Sequence, residues 1–126
     1  MYKIGEFSQL VGLPVRTLRY YDECGVLQPK EVDIFTNYRY YNDENVVECE
    51  LIKLLKSVNF TLDEISIYKD NLNEDIISQK EGEIFEQIEL MKAKLNRLAI
   101  MKEEIKKQSP AKVYTLIPKR IKSMEK

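Results

Sequence analysis

The chain has 126 residues, of which 44% are hydrophobic and 33% are charged, a composition typical of a helix-rich globular protein with one compact domain and an appendage. No apolar run approaches the roughly 18 residues of a membrane span, and the N-terminus lacks the apolar segment of a signal peptide, so we expect a cytoplasmic protein with no membrane partner. The absence of histidine weakens general-base catalysis and histidine-ligated metal sites. The net charge of −1 excludes a uniformly basic domain, so any DNA contact must come from locally placed arginines.

Two short helices joined by a tight turn are predicted at the start of the chain. The first has apolar residues at helical spacing, namely Ile4, Phe7, Leu10 and Val11. Gly12 stops it, and Pro14 suits the first turn of a second helix. The second helix directs three residues inward, Val15, Leu18 and Tyr21. This pattern predicts a helix-turn-helix, although an ordinary helical hairpin explains it about as well.

Helical periodicity lapses between residues 25 and 41. Turn-forming residues occur throughout this stretch, namely Pro29, Asp33, Thr36 and Asn37. They separate two β-prone segments at residues 32–35 and 38–41, which predict a β-hairpin or wing.

The next three helix starts share one pattern, in which an apolar residue precedes a polar cap and an acidic first turn. The caps are Asn42, Thr61 and Asn73, and Glu64 completes a capping box with Thr61. The acidic residues complement the positive ends of the helix dipoles. Helices are therefore predicted to begin at residues 43, 62 and 74. The buried face of the first of these is predicted to comprise Val47, Leu51, Leu54, Leu55 and Val58.

The last predicted helix, at about residues 74–107, reaches roughly 50 Å at 1.5 Å per residue, too long for a small domain to cover. Seven of its apolar residues follow a 7-4-3-4-3-7 spacing of heptad type: Ile77, Ile84, Ile88, Met91, Leu95, Leu98 and Ile105. Another chain must cover such a stripe, which predicts a homodimer held by a coiled coil. The alternative is a helix folded back on its own domain. Lys102 on the seam and Gly82 in the helix indicate an imperfect zipper.

Residues 108–126 form a basic tail with five Lys/Arg and one Glu. Ser109 and Pro110 end the preceding helix, and residues 113–118 are strand-like until Pro118 interrupts them. The tail is too short to form a core of its own.

Two dense aromatic-basic clusters carry the functional signal, residues 19–22 (Arg-Tyr-Tyr-Asp) and 38–41 (Tyr-Arg-Tyr-Tyr). Guanidinium and phenol groups suit phosphates and stacked bases, whereas in a core each would need a buried hydrogen-bond partner. Together with the opening Ile-Gly-Glu at residues 4–6 and the run Arg-Thr-Leu-Arg-Tyr-Tyr-Asp at 16–22, they resemble the MerR family of transcriptional regulators. The resemblance covers about residues 1–107.

This resemblance implies a mainly α fold, a winged helix-turn-helix with a long C-terminal helix that forms an antiparallel coiled-coil dimer. The implied domains are a DNA-binding domain at residues 1–72, a dimerisation helix at 73–108 and a tail at 109–126. Members of the family typically bind double-stranded promoter DNA as homodimers, then bend and untwist it. RNA polymerase is thus an indirect partner, through the promoter.

The resemblance also assigns the DNA-binding residues. They are Arg16, Thr17, Arg19 and Tyr20 in the recognition helix, with Tyr21 bracing it or touching phosphate, and Tyr38, Arg39 and Tyr40 in the wing. From chemistry alone, Arg16 suits a guanine edge and Thr17 a thymine methyl group. Arg19 has an alternative internal partner in Asp22 or Glu23. Two lysines, Lys53 and Lys56, are candidates for phosphate contacts, although solvated helix lysines are the commoner case.

Metal- and redox-sensing members of the family place cysteines around the dimerisation helix, whereas this chain has none beyond Cys49. Metal sensing is therefore disfavoured, no metal site or cofactor is expected, and Cys24 and Cys49 are expected to be packed thiols. Residues 113–118 resemble the opening strand of the GyrI-like effector domain of multidrug-responsive members. This implies a lipophilic small-molecule effector bound by a C-terminal domain that this chain lacks. A short basic tail is the alternative.

The second class of function is a coiled-coil protein-interaction module, in which residues 19–41 form a protein-binding face. An enzyme is least expected, because the sequence has no histidine, glycine-rich phosphate loop or nucleophile–base pair.

Overall fold

The computed structural model describes residues 1–107, and the predicted order of helix-turn-helix, wing, two helices and long helix is confirmed. The elements are β1 (Tyr2–Lys3), α1 (Ile4–Val11), α2 (Val15–Glu23), β2 (Glu31–Val32), β3 (Arg39–Tyr41), α3 (Asp43–Ser57), α4 (Leu62–Tyr68) and α5 (Glu74–Lys107). The described residues divide into two units, residues 1–80 and the part of α5 from residue 81 onward. The predicted tail strand at residues 113–118 lies outside the described residues.

The turn between α1 and α2 depends on Gly12. Its φ of 73° is left-handed, a conformation that glycine adopts without steric cost, and its N–H donates to the Ser8 carbonyl at 2.9 Å. Pro14, at the N-cap of α2, fixes an extended backbone just before the helix. The chain therefore reverses within three residues, which brings α1 and α2 together.

The wing belongs to a three-stranded antiparallel sheet in the order β1-β3-β2. Strand β1 was not predicted, because two residues are too few to show an alternating pattern. The predicted strand at residues 32–35 is wrong beyond Val32. The Asp33 carboxylate accepts hydrogen bonds from the N–H groups of Phe35 and Thr36, at 2.8 and 3.2 Å, and these bonds turn the backbone out of the strand.

The three predicted helix starts at residues 43, 62 and 74 are confirmed. The Asn42 side chain accepts from the N–H of Asn45 at 2.9 Å, and the Asn73 side chain accepts from that of Ile76, also at 2.9 Å. Thr61 and Glu64 form the predicted capping box, with bonds of 2.9 and 3.1 Å. Each cap satisfies N–H groups that the first helical turn leaves unbonded.

The core of the first unit lies between α1, α2, β3, α3 and α4. Its buried residues are Phe7, Val11, Leu18, Tyr21, Val26, Leu27, Tyr41, Cys49, Ile52, Leu55, Phe60 and Ile65.

The predicted buried face of α3 is mostly wrong. Of the predicted residues only Leu55 is buried, whereas Val47, Leu54 and Val58 are exposed and Leu51 is half-buried. The face that packs inward carries Cys49 and Ile52 beside Leu55. Both apolar stripes fit the helical period, so spacing alone does not tell which one contacts the core.

Tyr41 is a core residue that buries a polar hydroxyl group. Its ring stacks on Phe7 with centroids 4.3 Å apart and planes 10° from parallel. The side chain is fully buried, and its hydroxyl has no hydrogen-bond partner within residues 1–107. Burial raises the pKa of Tyr41 to about 12 from its ordinary value of 10.0.

We expect Tyr41→Phe to stabilise the chain by about 1 kcal/mol, because it removes a buried polar group that makes no bond. The folded state holds the phenolic proton more tightly than the unfolded state. The stability that this tighter proton binding gives to the parent chain is complete below pH 10 and is lost as the pH rises toward 12. The advantage of Tyr41→Phe in urea unfolding should therefore widen above pH 10. A variant less stable than the parent chain at every pH would show that the hydroxyl is satisfied.

Candidate nucleic-acid interface

Helix α2 has one face in the core and one in solvent. Leu18 and Tyr21 are 0% and 5% exposed and belong to the core cluster, so they fix one face of α2 in the core. Arg16, Arg19 and Tyr20 are exposed, and Thr17 is half-buried beside them. The exposed face of α2 thus carries side chains that can bond base edges and phosphates, and the buried face fixes the helix in the core.

An ion pair joins the wing to the end of α2. Arg39 Nε, on β3, donates to Asp22 Oδ2 at 2.7 Å, and both side chains are about four-fifths buried. The Asp22 hydrogen bond raises the pKa of Arg39. Asp22, one of the two internal partners considered for Arg19, is thus bonded to Arg39, and Arg19 itself is exposed.

An open groove of about 590 Å³ runs between the start of α1, the exposed face of α2 and the wing. Its lining includes three cationic side chains (Lys3, Arg19 and Arg39), one acidic side chain (Glu6) and three polar ones (Gln9, Asn37 and Tyr38). Tyr38 is 56% exposed, and Tyr40, half-buried, pairs with Lys3 across the sheet. Cationic side chains thus outnumber acidic ones three to one in the groove lining, although the chain as a whole has a net charge of −1.

Sequence reasoning missed Lys3 and Asn37 as groove residues. Lys3 reaches the groove through β1, a strand too short to recognise from its pattern. Asn37 adopts φ 61° and closes the wing turn, which brings its side chain to the groove. The turn-forming residues at 33–37 were the available signal for Asn37.

The aromatic-basic clusters contribute to the core as well as to the surface. Tyr21 and Tyr41 are buried, contrary to the expectation that phenols in these clusters would be wasted as core filling. Burial of Tyr21 favours the bracing role over a phosphate contact. Tyr21 on α2 and Tyr41 on β3 pack in the core, so each cluster contains a buried residue that supports its exposed ones.

The two candidate lysines of α3 differ in their surroundings. Lys53 Nζ donates to the Val11 carbonyl at 2.7 Å and contacts Glu50 at 3.3 Å. It thereby satisfies a carbonyl at the end of α1 and ties α3 to that helix. Lys56 is exposed.

The expectation that both cysteines are packed is wrong for Cys24. Cys24 caps the C-terminus of α2 in an exposed position, next to the turn at Gly25. Cys49 is buried as predicted, and burial raises its thiol pKa to about 11.

The predicted seam on α5 is largely exposed within one chain. Six of its seven residues are 42–67% exposed, namely Ile77, Ile88, Met91, Leu95, Leu98 and Ile105, and Ile84 is half-buried. Three apolar residues off the seam are also exposed, namely Phe85, Leu90 and Ile100. A stripe of this kind is typical of an association surface. None of the helices within residues 1–107 is long and apolar enough to cross a membrane.

A helix-turn-helix whose second helix is bonded to a β-hairpin defines a winged helix-turn-helix protein. Residues 2–72 match the family described as MerR HTH family regulatory protein. The chain therefore belongs to the MerR family of transcriptional regulators.

Relatives extend the match beyond the family domain. The chain is 33% identical over 110 residues to the multidrug-efflux transporter 1 regulator of Bacillus subtilis (strain 168), covering 85% of this chain and 40% of that protein. It is 27% identical over 111 residues to the transcriptional activator TipA of Streptomyces coelicolor, covering 88% and 42%. The chain thus spans about 40% of the length of these relatives.

Two solved structures share the fold. The EcmrR–DNA complex superposes with a TM-score of 0.76 and 29% identity, over 85% of this chain and 40% of that one. The N-terminal part of the Bacillus subtilis multidrug transporter activator, MtaN, gives a TM-score of 0.60 and 27% identity, over 85% and 96%.

Proposed function

We propose that this chain is a dimeric, sequence-specific regulator that binds promoter DNA through α2 and the wing. The observation that carries the proposal is the bond of Arg39 Nε to Asp22 Oδ2 at 2.7 Å. It joins the end of α2 to the wing, and Arg19 of α2 and Arg39 of the wing both line the groove. Membership of a family of DNA-binding regulators supports the same conclusion.

In this proposal, α2 enters the major groove. Arg16 bonds a guanine edge and Thr17 packs against a thymine methyl group. The backbone contacts come from Arg19 and Tyr20 on α2, Tyr38, Arg39 and Tyr40 on the wing, and Lys56 on α3. Tyr21 braces the helix from the core. Lys53, bonded to α1, supports the interface without reaching DNA.

The dimer is the second part of the proposal. The α5 seams of two chains pack together as an antiparallel coiled coil, and each chain contributes one DNA-binding head. Two heads on successive major grooves read half-sites about one helical turn apart. Bending a site of this size costs about 1–6 kcal/mol, which the protein–DNA contacts offset. RNA polymerase then meets a bent and untwisted promoter.

The effector is the third part. We propose that a lipophilic small molecule controls the dimer through a domain that follows α5. Two of the similar proteins are named for multidrug efflux or transport, which supports this class of effector.

Selection from random duplex DNA should enrich a palindrome, since the dimer is symmetric. On the selected site, Arg16→Ala should lower affinity about tenfold and relax preference at one base pair, because a bidentate guanine contact is lost. Affinity of the parent chain should fall steeply with salt as phosphate contacts release counterions. Gel shifts over a salt series measure both effects.

Arg97→Ala is the matched control, since Arg97 is an exposed arginine of α5 that lies off the seam. It should leave affinity unchanged, and both variants should sediment as dimers. If no sequence is enriched, the coiled-coil interaction module becomes the better explanation of the Arg/Tyr surface.

A further inference from the structure

The tip of the wing carries two large apolar side chains that contact no core. Phe35 is 91% exposed and Ile34 is 87% exposed, the highest values among the large hydrophobic residues of the described part of the chain. They are neighbours in a turn between β2 and β3. Isolated surface hydrophobics are ordinary, but two adjacent ones held almost fully in water suit a binding contact.

The turn that holds these residues is well bonded. Besides its two bonds to the Asp33 carboxylate, the backbone closes through Asn37 N–H to the Asp33 carbonyl at 2.7 Å and Asp33 N–H to the Tyr38 carbonyl at 2.9 Å. Tyr38 N–H also donates to the Thr36 hydroxyl at 3.2 Å. The tip is therefore preorganised, so little backbone freedom remains to be lost when it binds.

The position of the wing tip relative to α2 indicates which part of the DNA the tip contacts. Arg39, bonded to the end of α2, begins the strand that follows the turn, and Phe35 lies four residues before it, so the tip projects from a hairpin that is attached to the recognition helix. With α2 in the major groove, the wing crosses one phosphate strand and its tip reaches the minor groove beside the half-site.

We propose that Ile34 and Phe35 form an apolar wedge that enters this minor groove and partly unstacks one base step. The inference rests on the proposed function, and it adds a contact that bends DNA. Apolar side chains inserted between bases kink the duplex toward the major groove. Flexible pyrimidine–purine steps are the easiest to open, so they should be preferred at that position.

The charges of the hairpin set the type of contact. The Asp33 carboxylate faces two N–H groups of the turn, and Glu31 on β2 is exposed. Glu31 and Asp33 give the hairpin no attraction to phosphate, and Ile34 and Phe35 are uncharged, so the tip binds by stacking and apolar contact alone. Its loss should therefore change affinity and bending without changing the number of counterions released.

The test uses the full chain and the selected duplex with 2-aminopurine at the flanking step. The double variant Ile34→Ser/Phe35→Ser should lose about tenfold in affinity, since stacking of one base is worth about that much. The bend measured by fluorescence transfer should decrease, the 2-aminopurine signal of unstacking should disappear, and the slope of affinity against salt should stay constant. Phe35→Trp should keep all three properties of the parent chain.

Leu90→Ser is the control, because Leu90 is an exposed apolar residue of α5 that should not touch DNA. Unchanged affinity, bend and 2-aminopurine signal in the double variant would overturn the wedge. So would a defect seen only when RNA polymerase is present, since the tip would then contact protein. A parent chain that binds no duplex would instead overturn the proposed function itself.

Discussion

Leu95→Glu is expected to convert the dimer into a monomer. Leu95 lies in the middle of the proposed seam and is 67% exposed in the single chain. In a coiled coil it would pack against the partner helix, where a carboxylate without a partner costs several kcal/mol. Each dimer would contain two substituted chains, so it would bear this cost twice. Sedimentation at micromolar concentration should give the mass of one chain.

Leu90→Glu is the matched control for this experiment. Leu90 is also a leucine of α5, and it is 63% exposed, but it lies outside the heptad positions. It should leave the dimer intact, with the same helix content as Leu95→Glu. If both variants remain dimers, the seam is not the association surface. If both become monomers, the contact covers more of the helix than the heptad pattern predicts.

Loss of the dimer should also abolish tight DNA binding. Two linked heads engage two half-sites at a high effective concentration, which contributes a factor of about 10²–10⁴ in affinity. Each Leu95→Glu chain keeps its single head folded, so its binding should fall to that of one half-site. A variant that is monomeric yet binds the palindrome with the parent affinity would separate recognition from dimerisation and contradict the proposed geometry.

Helix starts were predictable because their causes are local. Asn42, Thr61 and Asn73 each bond an N–H three residues ahead, so a short stretch of sequence contains the whole interaction. The turn at Gly12 was predictable for the same reason. The starts and order of these elements therefore follow from local sequence, whereas the two-helix pattern alone fitted an ordinary helical hairpin about as well as a helix-turn-helix.

Packing choices were harder to predict because they depend on distant partners. Helix α3 has two apolar stripes, and only its contact with the rest of the core selects the one that carries Ile52. Tyr41 is buried because Phe7, 34 positions earlier, supplies a ring for it to stack on. The Arg39–Asp22 bond spans 17 positions and leaves no periodic signal. These long-range contacts shape the candidate site, so its residue types were predictable but its geometry was not.

Lys80 is another long-range contact that the sequence does not show. It lies in α5, yet its side chain is only 8% exposed. Its ammonium donates to both oxygens of Glu64, at 3.0 and 3.1 Å, and to the Asn59 carbonyl at 3.2 Å. It also lies 4.7 Å from the centre of the Phe60 ring. Lys80 thus anchors the first two turns of α5 to α4 and the turn before it.

Lys80→Met should destabilise the chain by about 2 kcal/mol. Removing one member of a buried pair costs about 3–5 kcal/mol, and the 30% exposure of the Glu64 carboxylate reduces that figure. Urea unfolding measures the difference. The control is Lys92→Met, because Lys92 pairs with Glu89 on the surface at 3.3 Å and should cost less than about 1 kcal/mol.

The pH dependence of the Lys80→Met effect identifies its cause. Hydrogen bonds from Thr61, and then from Lys80, hold the pKa of Glu64 below its ordinary value of 4.5. The stability from the Lys80 bonds to Glu64 is therefore present above pH 4.5 and lost as the pH falls through the lower, folded pKa. The gap between the parent chain and Lys80→Met should narrow over that range. A gap that stays constant would assign the effect to the packing of Lys80 on Phe60 and its bond to Asn59, with no contribution from the ion pair.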